Sequence, residues 1–117
     1  MTTTITIVIT IITIAAIRTV IFEQVDLATD FHGRATPMSS KILCRGLEPY
    51  CPLFVEEAMH GQDGAESAEM WRELADATTI PLATGERLYA RWQFQDLIST
   101  AAAVLSLAIY IRYCVHN

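Results

Sequence analysis

Three carboxylates close three short apolar runs at intervals of 26 and 30 residues: Asp30 in DLATDFHGR, Glu56 in PLFVEE and Glu86 in IPLATGER. A strand, its helix and the return loop take about 25 to 35 residues. The spacing therefore predicts successive parallel strands that deliver all three side chains to one sheet edge. Carboxylates gathered there repel one another unless a cation lies between them. The pattern reads as a divalent-metal site at the C-terminal ends of parallel strands. Acidic residues in strand-to-helix loops also serve as ordinary caps or solvated groups, and spacing alone leaves that second reading open.

The segments between the carboxylates alternate in the βα manner. Val25 to Thr29 reads as a strand ending at Asp30, Leu53 to Val55 as the second and Ile80 to Ala83 as the third. Pro37 precedes a helix over Met38 to Leu47, a second helix runs from Ala65 to Ala77, and a third from Leu88 to Ile98. Met70, Leu74 and Ala77 form the apolar face of the middle helix, and Glu69 and Glu73 face out. Trp71 and Trp92 read as packing residues. Three strands with three helices imply a parallel sheet with right-handed crossovers. A complete (β/α)8 barrel needs roughly 250 residues, so if these units belong to one, the 117 residues here hold only part of it. Such a piece leaves open edges and uncovered apolar faces, and is expected to be marginal or molten.

Both ends differ from the middle. Residues 2–14 are all Thr, Ile or Val. These side chains favour strands, and Ile5, Ile7, Ile9 and Ile11 alternate with Thr4, Thr6, Val8 and Thr10. A strand or a disordered extension is the expectation. The run lacks the positive charge that leads a secretory signal, and its threonines argue against a membrane span. Leu97 to Ile111 is uncharged, too short to span comfortably, and reads as a buried helix. The organisation expected is an extension over 1–22, a partial barrel over 23–99 and an apolar tail over 100–117.

Charge and cysteine usage narrow the partners. A net charge of -5 with no basic stripe excludes nucleic acid as an expected ligand. Cys44, Cys51 and Cys114 form no paired framework and no CxxC, so buried inert thiols in a reducing, cytoplasmic compartment are expected.

Three segments carry a resemblance: DFHGR at Asp30 to Arg34, LEPYCPLFVEE at Leu47 to Glu57, and IPLATGERLYARWQF at Ile80 to Phe94. From about Val25 to Ser99 the chain resembles the barrel domain of the enolase superfamily, in the mandelate racemase group, and looks most like acid-sugar dehydratases of the D-galactonate type. The resemblance implies an α/β partial (β/α) barrel of about three βα units. It implies that Asp30, Glu56 and Glu86 ligate one Mg2+, whose hardness suits carboxylate oxygens. It implies that His32 is the general acid that protonates the departing hydroxyl of a sugar acid, the small-molecule partner expected here. The cation would polarise the substrate carboxylate and stabilise the enediolate formed when the α-proton leaves. His32 lies two residues past Asp30, so extended backbone would point both to one side.

Departures from the family pattern accompany the match. The family's base is a histidine on a later strand; His116 stands in RYCVHN, a context without a family match, and His60 has no assignable role. Ala58 replaces the proline that usually follows the EE pair, and Glu56 to Glu86 is four residues longer than in the family. Neither end resembles family sequence, as in a truncated barrel. Arg34 and Arg87 are candidates to position the carboxylates or the substrate, with surface ion pairs as the other reading. Glu57 is expected to pair with one of them or to be exposed. Beside the dehydratase reading stand a non-catalytic remnant of the barrel and a small membrane-associated protein using its apolar ends.

Overall fold

Each short apolar run becomes a strand, and each strand lies beside the next. The computed structural model describes residues 2–21, 25–60, 65–88, 90–99 and 105–106. Its elements in order are α1 (Thr2–Ile21), β1 (Ala28–Asp30), α2 (Pro37–Leu47), a 3-10 turn at Glu48–Tyr50, β2 (Phe54–Glu56), α3 (Ala65–Asp76), β3 (Leu82–Thr84), α4 (Arg91–Ser99) and β4 (Leu105–Ser106). The strands form one sheet in the order β1-β2-β3-β4. All three pairings are parallel. Sequential parallel order with a helix after each of the first three strands is the winding of a (β/α) barrel segment.

Local chemistry sets the helix boundaries. Thr36 caps α2: its backbone is extended (φ -78°, ψ 160°), its hydroxyl accepts from the Ser39 N–H, and Pro37 takes the first turn, where no N–H is needed. Glu48 receives the Thr79 N–H at 2.8 Å and the Thr78 hydroxyl at 2.9 Å, which ties the end of α2 to the turn after α3. The Thr79 backbone hydrogen bond, foremost, holds the Glu48 carboxyl below its usual range. Arg91 opens α4 later than the expected Leu88. Leu88 instead donates its N–H to Gly85 in a turn, and Ala90 N–H is taken by the Gln93 side chain.

The core lies between sheet and helices. Val55 and Leu82 meet Cys44 and Leu47 of α2, Trp71 and Leu74 of α3, Leu97 of α4 and Ile14 of α1. Trp71 packs as expected, but Trp92 is 67% exposed: α4 turns Phe94 and Leu97 inward instead. Cys44 is buried, and burial, with the Glu48 charge adding, pushes its thiol up to about 11, an inert state. Cys51, also expected to be buried, is exposed. It ends the 3-10 turn in the left-handed region, at φ 47°.

Both ends depart from expectation. The β-branched run is helical, not extended. β-branched residues lose only a few tenths of a kcal/mol each in a helix, and α1 recovers this by packing on α2. Ile14 enters the core. Ile11 reaches over Gly46, where a Cβ would overlap its terminal methyl. The expected helix over 97–111 stops at Ser99, and Leu105–Ser106 is a strand paired to Ala83 and Thr84. The open backbone groups of β3 are satisfied by that pairing. His116 and Cys114 lie outside the described residues. No helix among the described residues is long and apolar enough to cross a membrane.

Two substitutions test this packing. Leu74, fully buried, is expected to cost about 2–5 kcal/mol when cut to Ala, read as a lower midpoint in urea. The Thr29 hydroxyl is buried without a partner among the described residues. Thr29→Val is expected to raise stability by about 1 kcal/mol in the same experiment.

Candidate metal centre at the sheet edge

The register decides which side chains share a face. Asp30 is the partner of Glu56 across β1 and β2, and Glu56 is the partner of Ala83 across β2 and β3. Neighbouring strands lie about 4.8 Å apart and paired residues point to one side, so Asp30 and Glu56 stand side by side. Glu86 follows β3 after Gly85, whose φ of 128° suits a residue without a Cβ. Burial first, then the charges of Asp30, Glu86 and Glu57, hold the Glu56 carboxyl above its ordinary range. The three carboxylates singled out in the sequence thus occupy one edge closely enough to sense one another.

His32 is also at this edge, in a different conformation from that expected. Its φ is 51°, in the left-handed region rather than extended. The resulting turn brings it back onto Asp30: the His32 N–H donates to Oδ1 at 2.8 Å, and Nε2 lies 3.0 Å from Oδ2. Both oxygens of Asp30 therefore face one residue. Glu86 accepts from Arg87 Nε at 3.3 Å. Arg34 is exposed, and its N–H donates to the Phe31 carbonyl.

Three carboxylate side chains are a hard donor set of the kind Mg2+ takes, and the mutual repulsion at Glu56 is what a cation would relieve. In donor chemistry the residues fit such an ion. Their oxygens are not drawn together: no group of three acidic, His or Cys side chains among the described residues stands at ligating distance.

Glu57 takes one of the places expected for it, paired with Arg87 rather than exposed, but sequence reasoning missed its burial. Its side chain is 1% exposed, and its backbone is left-handed at φ 42°. Its Oε1 accepts from the Thr84 hydroxyl at 2.7 Å and from the Gly85 N–H at 3.1 Å. Its carbonyl accepts from the Gly33 N–H at 2.8 Å, and its own N–H donates to Ala83. Arg87 Nε lies 3.9 Å from Oε2. The doubled EE was the only available signal, and nothing in it distinguishes the carboxylate that turns outward from the one that turns in.

Comparison with known proteins places this geometry. The model of the enolase C-terminal domain-like family matches residues 6–110. D-galactonate dehydratase of Variovorax paradoxus (strain S110) is 46% identical over 85 residues, which cover 73% of this chain and 21% of that protein. Among solved structures, L-talarate dehydratase from Polaromonas sp. JS666, complexed with Mg and L-glucarate, is 28% identical with a TM-score of 0.75, over 83% of this chain and 26% of that one. A mandelate racemase/muconate lactonizing enzyme-like protein from Roseovarius sp. TM1035 is 29% identical with a TM-score of 0.78, over 86% and 24%. The chain spans about a fifth to a quarter of the length of these proteins. With the parallel βα order shared and the match running through most of its length, this chain belongs to the enolase C-terminal domain-like family.

Proposed function

We propose that this chain carries the acidic edge and the proton donor of a Mg2+-dependent acid-sugar dehydratase of the D-galactonate type. The observation that supports this best is the pairing of Asp30 with Glu56 in a chain 46% identical to a D-galactonate dehydratase over the matched residues. Asp30, Glu56 and Glu86 are the residues that would hold the cation. When bound, it neutralises the acidic edge and withdraws electron density from the substrate carboxylate. Asp30 orients the His32 imidazole through Nε2, at 3.0 Å. His32, with its side chain 66% exposed, is open to a substrate at the strand ends and delivers its proton to the hydroxyl that leaves. The small-molecule partner is a sugar acid, and Arg34, exposed in the loop after β1, is the residue proposed to meet its carboxylate or hydroxyl. Elimination also needs a base for the α-proton. In the family it comes from a later strand, and neither His60 nor His116 matches it. The residues of this chain are proposed to supply the cation ligands and the acid, with the base not assigned among them.

Thermal unfolding tests the ligand assignment. Millimolar Mg2+ is expected to raise the melting midpoint of the wild-type chain, by an amount equivalent to about 2.7 kcal/mol at a hundredfold excess over Kd. In Glu56→Gln the shift should disappear. A wild-type midpoint indifferent to Mg2+ overturns the assignment, and galactonate dehydration by the purified chain overturns the need for further strands. The same variant has a pH signature. The raised Glu56 carboxyl means that its ionisation opposes folding. Its contribution is fully favourable below the ordinary Glu range and is lost as pH rises through its folded titration. Without metal, Glu56→Gln should be more stable than wild type at pH 7, and the difference should close below about pH 4.

A further inference from the structure

We infer that Arg87, seated against the buried Glu57, is a positioning residue that clamps the three strand-end loops into one rigid edge. Its guanidinium meets all three. Nη2 donates to the His32 carbonyl at 2.7 Å, in the loop after β1. Nε lies 3.9 Å from Glu57 Oε2, after β2, and donates to Glu86 Oε1 at 3.3 Å, after β3. The fit is built into the backbone. A Cβ on Gly33 would stand 3.1 Å from Arg87 Nη1 and 3.4 Å from Cζ, so the bare glycine leaves room for the guanidinium against this loop. Gly33 is also left-handed, at φ 63°. Its N–H is held by the Glu57 carbonyl.

Two consecutive left-handed residues, His32 and Gly33, are not a conformation that a loop holds without support. A non-glycine residue in this region costs of order 1 kcal/mol or more and persists where its surroundings enforce it. Two bonds supply that enforcement here: Arg87 on the His32 carbonyl and the Glu57 carbonyl on the Gly33 N–H. Glu57 in turn needs Arg87. A carboxylate that is 1% exposed has two donors on Oε1 and, among the described residues, the guanidinium as the cation beside Oε2. Arg87 thus acts through His32 and Glu86 and need not touch substrate. On sequence alone it was a candidate to position the carboxylates or the substrate, and its bond to Glu86 is a contact of the first kind. The consequence for chemistry rests on the proposed roles of His32 and Glu86, whereas the clamp itself does not.

Amide hydrogen exchange on the full metal-free chain tests the clamp directly. In Arg87→Met, exchange at Gly33 should rise at least about tenfold, while Val55, bonded to Pro81 inside the sheet, keeps its wild-type protection. Arg87→Lys should fall between, because one ammonium cannot serve a carbonyl and two carboxylates together. Wild-type exchange at Gly33 in Arg87→Met, or an equal rise at Val55, overturns the inference. If Arg87→Met does not fold, Glu57→Gln takes its place, keeping an acceptor for Thr84 and Gly85 and removing the charge that faces Arg87. Faster exchange at Gly33 alone supports the clamp, and unchanged exchange there overturns it. Mn2+ affinity, followed by electron paramagnetic resonance, separates the two proposals. A wild-type chain that fails to bind Mn2+ removes the metal-site reading, and the exchange result still decides the clamp.

Discussion

A carboxylate withdrawn from water at the end of a strand has to be answered by its surroundings, and Glu57 is such a carboxylate. Thr84, Gly85 and Arg87 answer it. Thr84 ends β3 and the other two follow it in the loop, so the requirement at Glu57 sets the path of the loop after β3. That path carries Glu86. The left-handed backbone at Glu57 also turns its carbonyl toward Gly33, which sets the loop after β1 and with it His32. One desolvated group therefore links the positions of the two outer loops, neither of which is joined to the other by a strand ladder.

The neighbouring Glu56 has the opposite fate. It stays in the sheet register beside Asp30, where like charges and partial burial make its ionised form costly. An edge that gathers carboxylates in this way is poorly built for stability alone, even with His32 and Arg87 beside them. The proposed cation gives that cost a purpose. In the structure the repulsion at Asp30 is met locally, by an imidazole and a backbone N–H from His32. A carboxylate has lone pairs for further partners, so the Asp30–His32 contact and metal ligation by the same group are compatible in principle of donor count.

The repeat of strand, helix and carboxylate was legible because it depends on local rules: apolar runs of strand length, Pro37 at a helix start, and spacing set by the length of a βα unit. β1, β2 and β3 each end one residue past where those rules put them, and β1 begins three residues late. The apolar ends were not legible. Thirteen β-branched residues prefer a strand by propensity, but α1 is helical, with Ile14 in the core and Ile11 over Gly46. The uncharged run from Leu97 reads as a buried helix because it is apolar all round, yet part of it pairs with β3. In both cases a distant partner outweighs a local preference.

The same division runs through the site. Sequence alone determined that Asp30, Glu56 and Glu86 reach one edge, because alternation of strand and helix with parallel pairing leaves no other place for them. Only tertiary structure decided which of two adjacent glutamates turns inward, that His32 folds back on Asp30, and that Arg87 binds protein groups on three loops. Those outcomes depend on desolvation and on backbone angles at single residues, which are set by what packs against them and not by the identity of their neighbours in the chain.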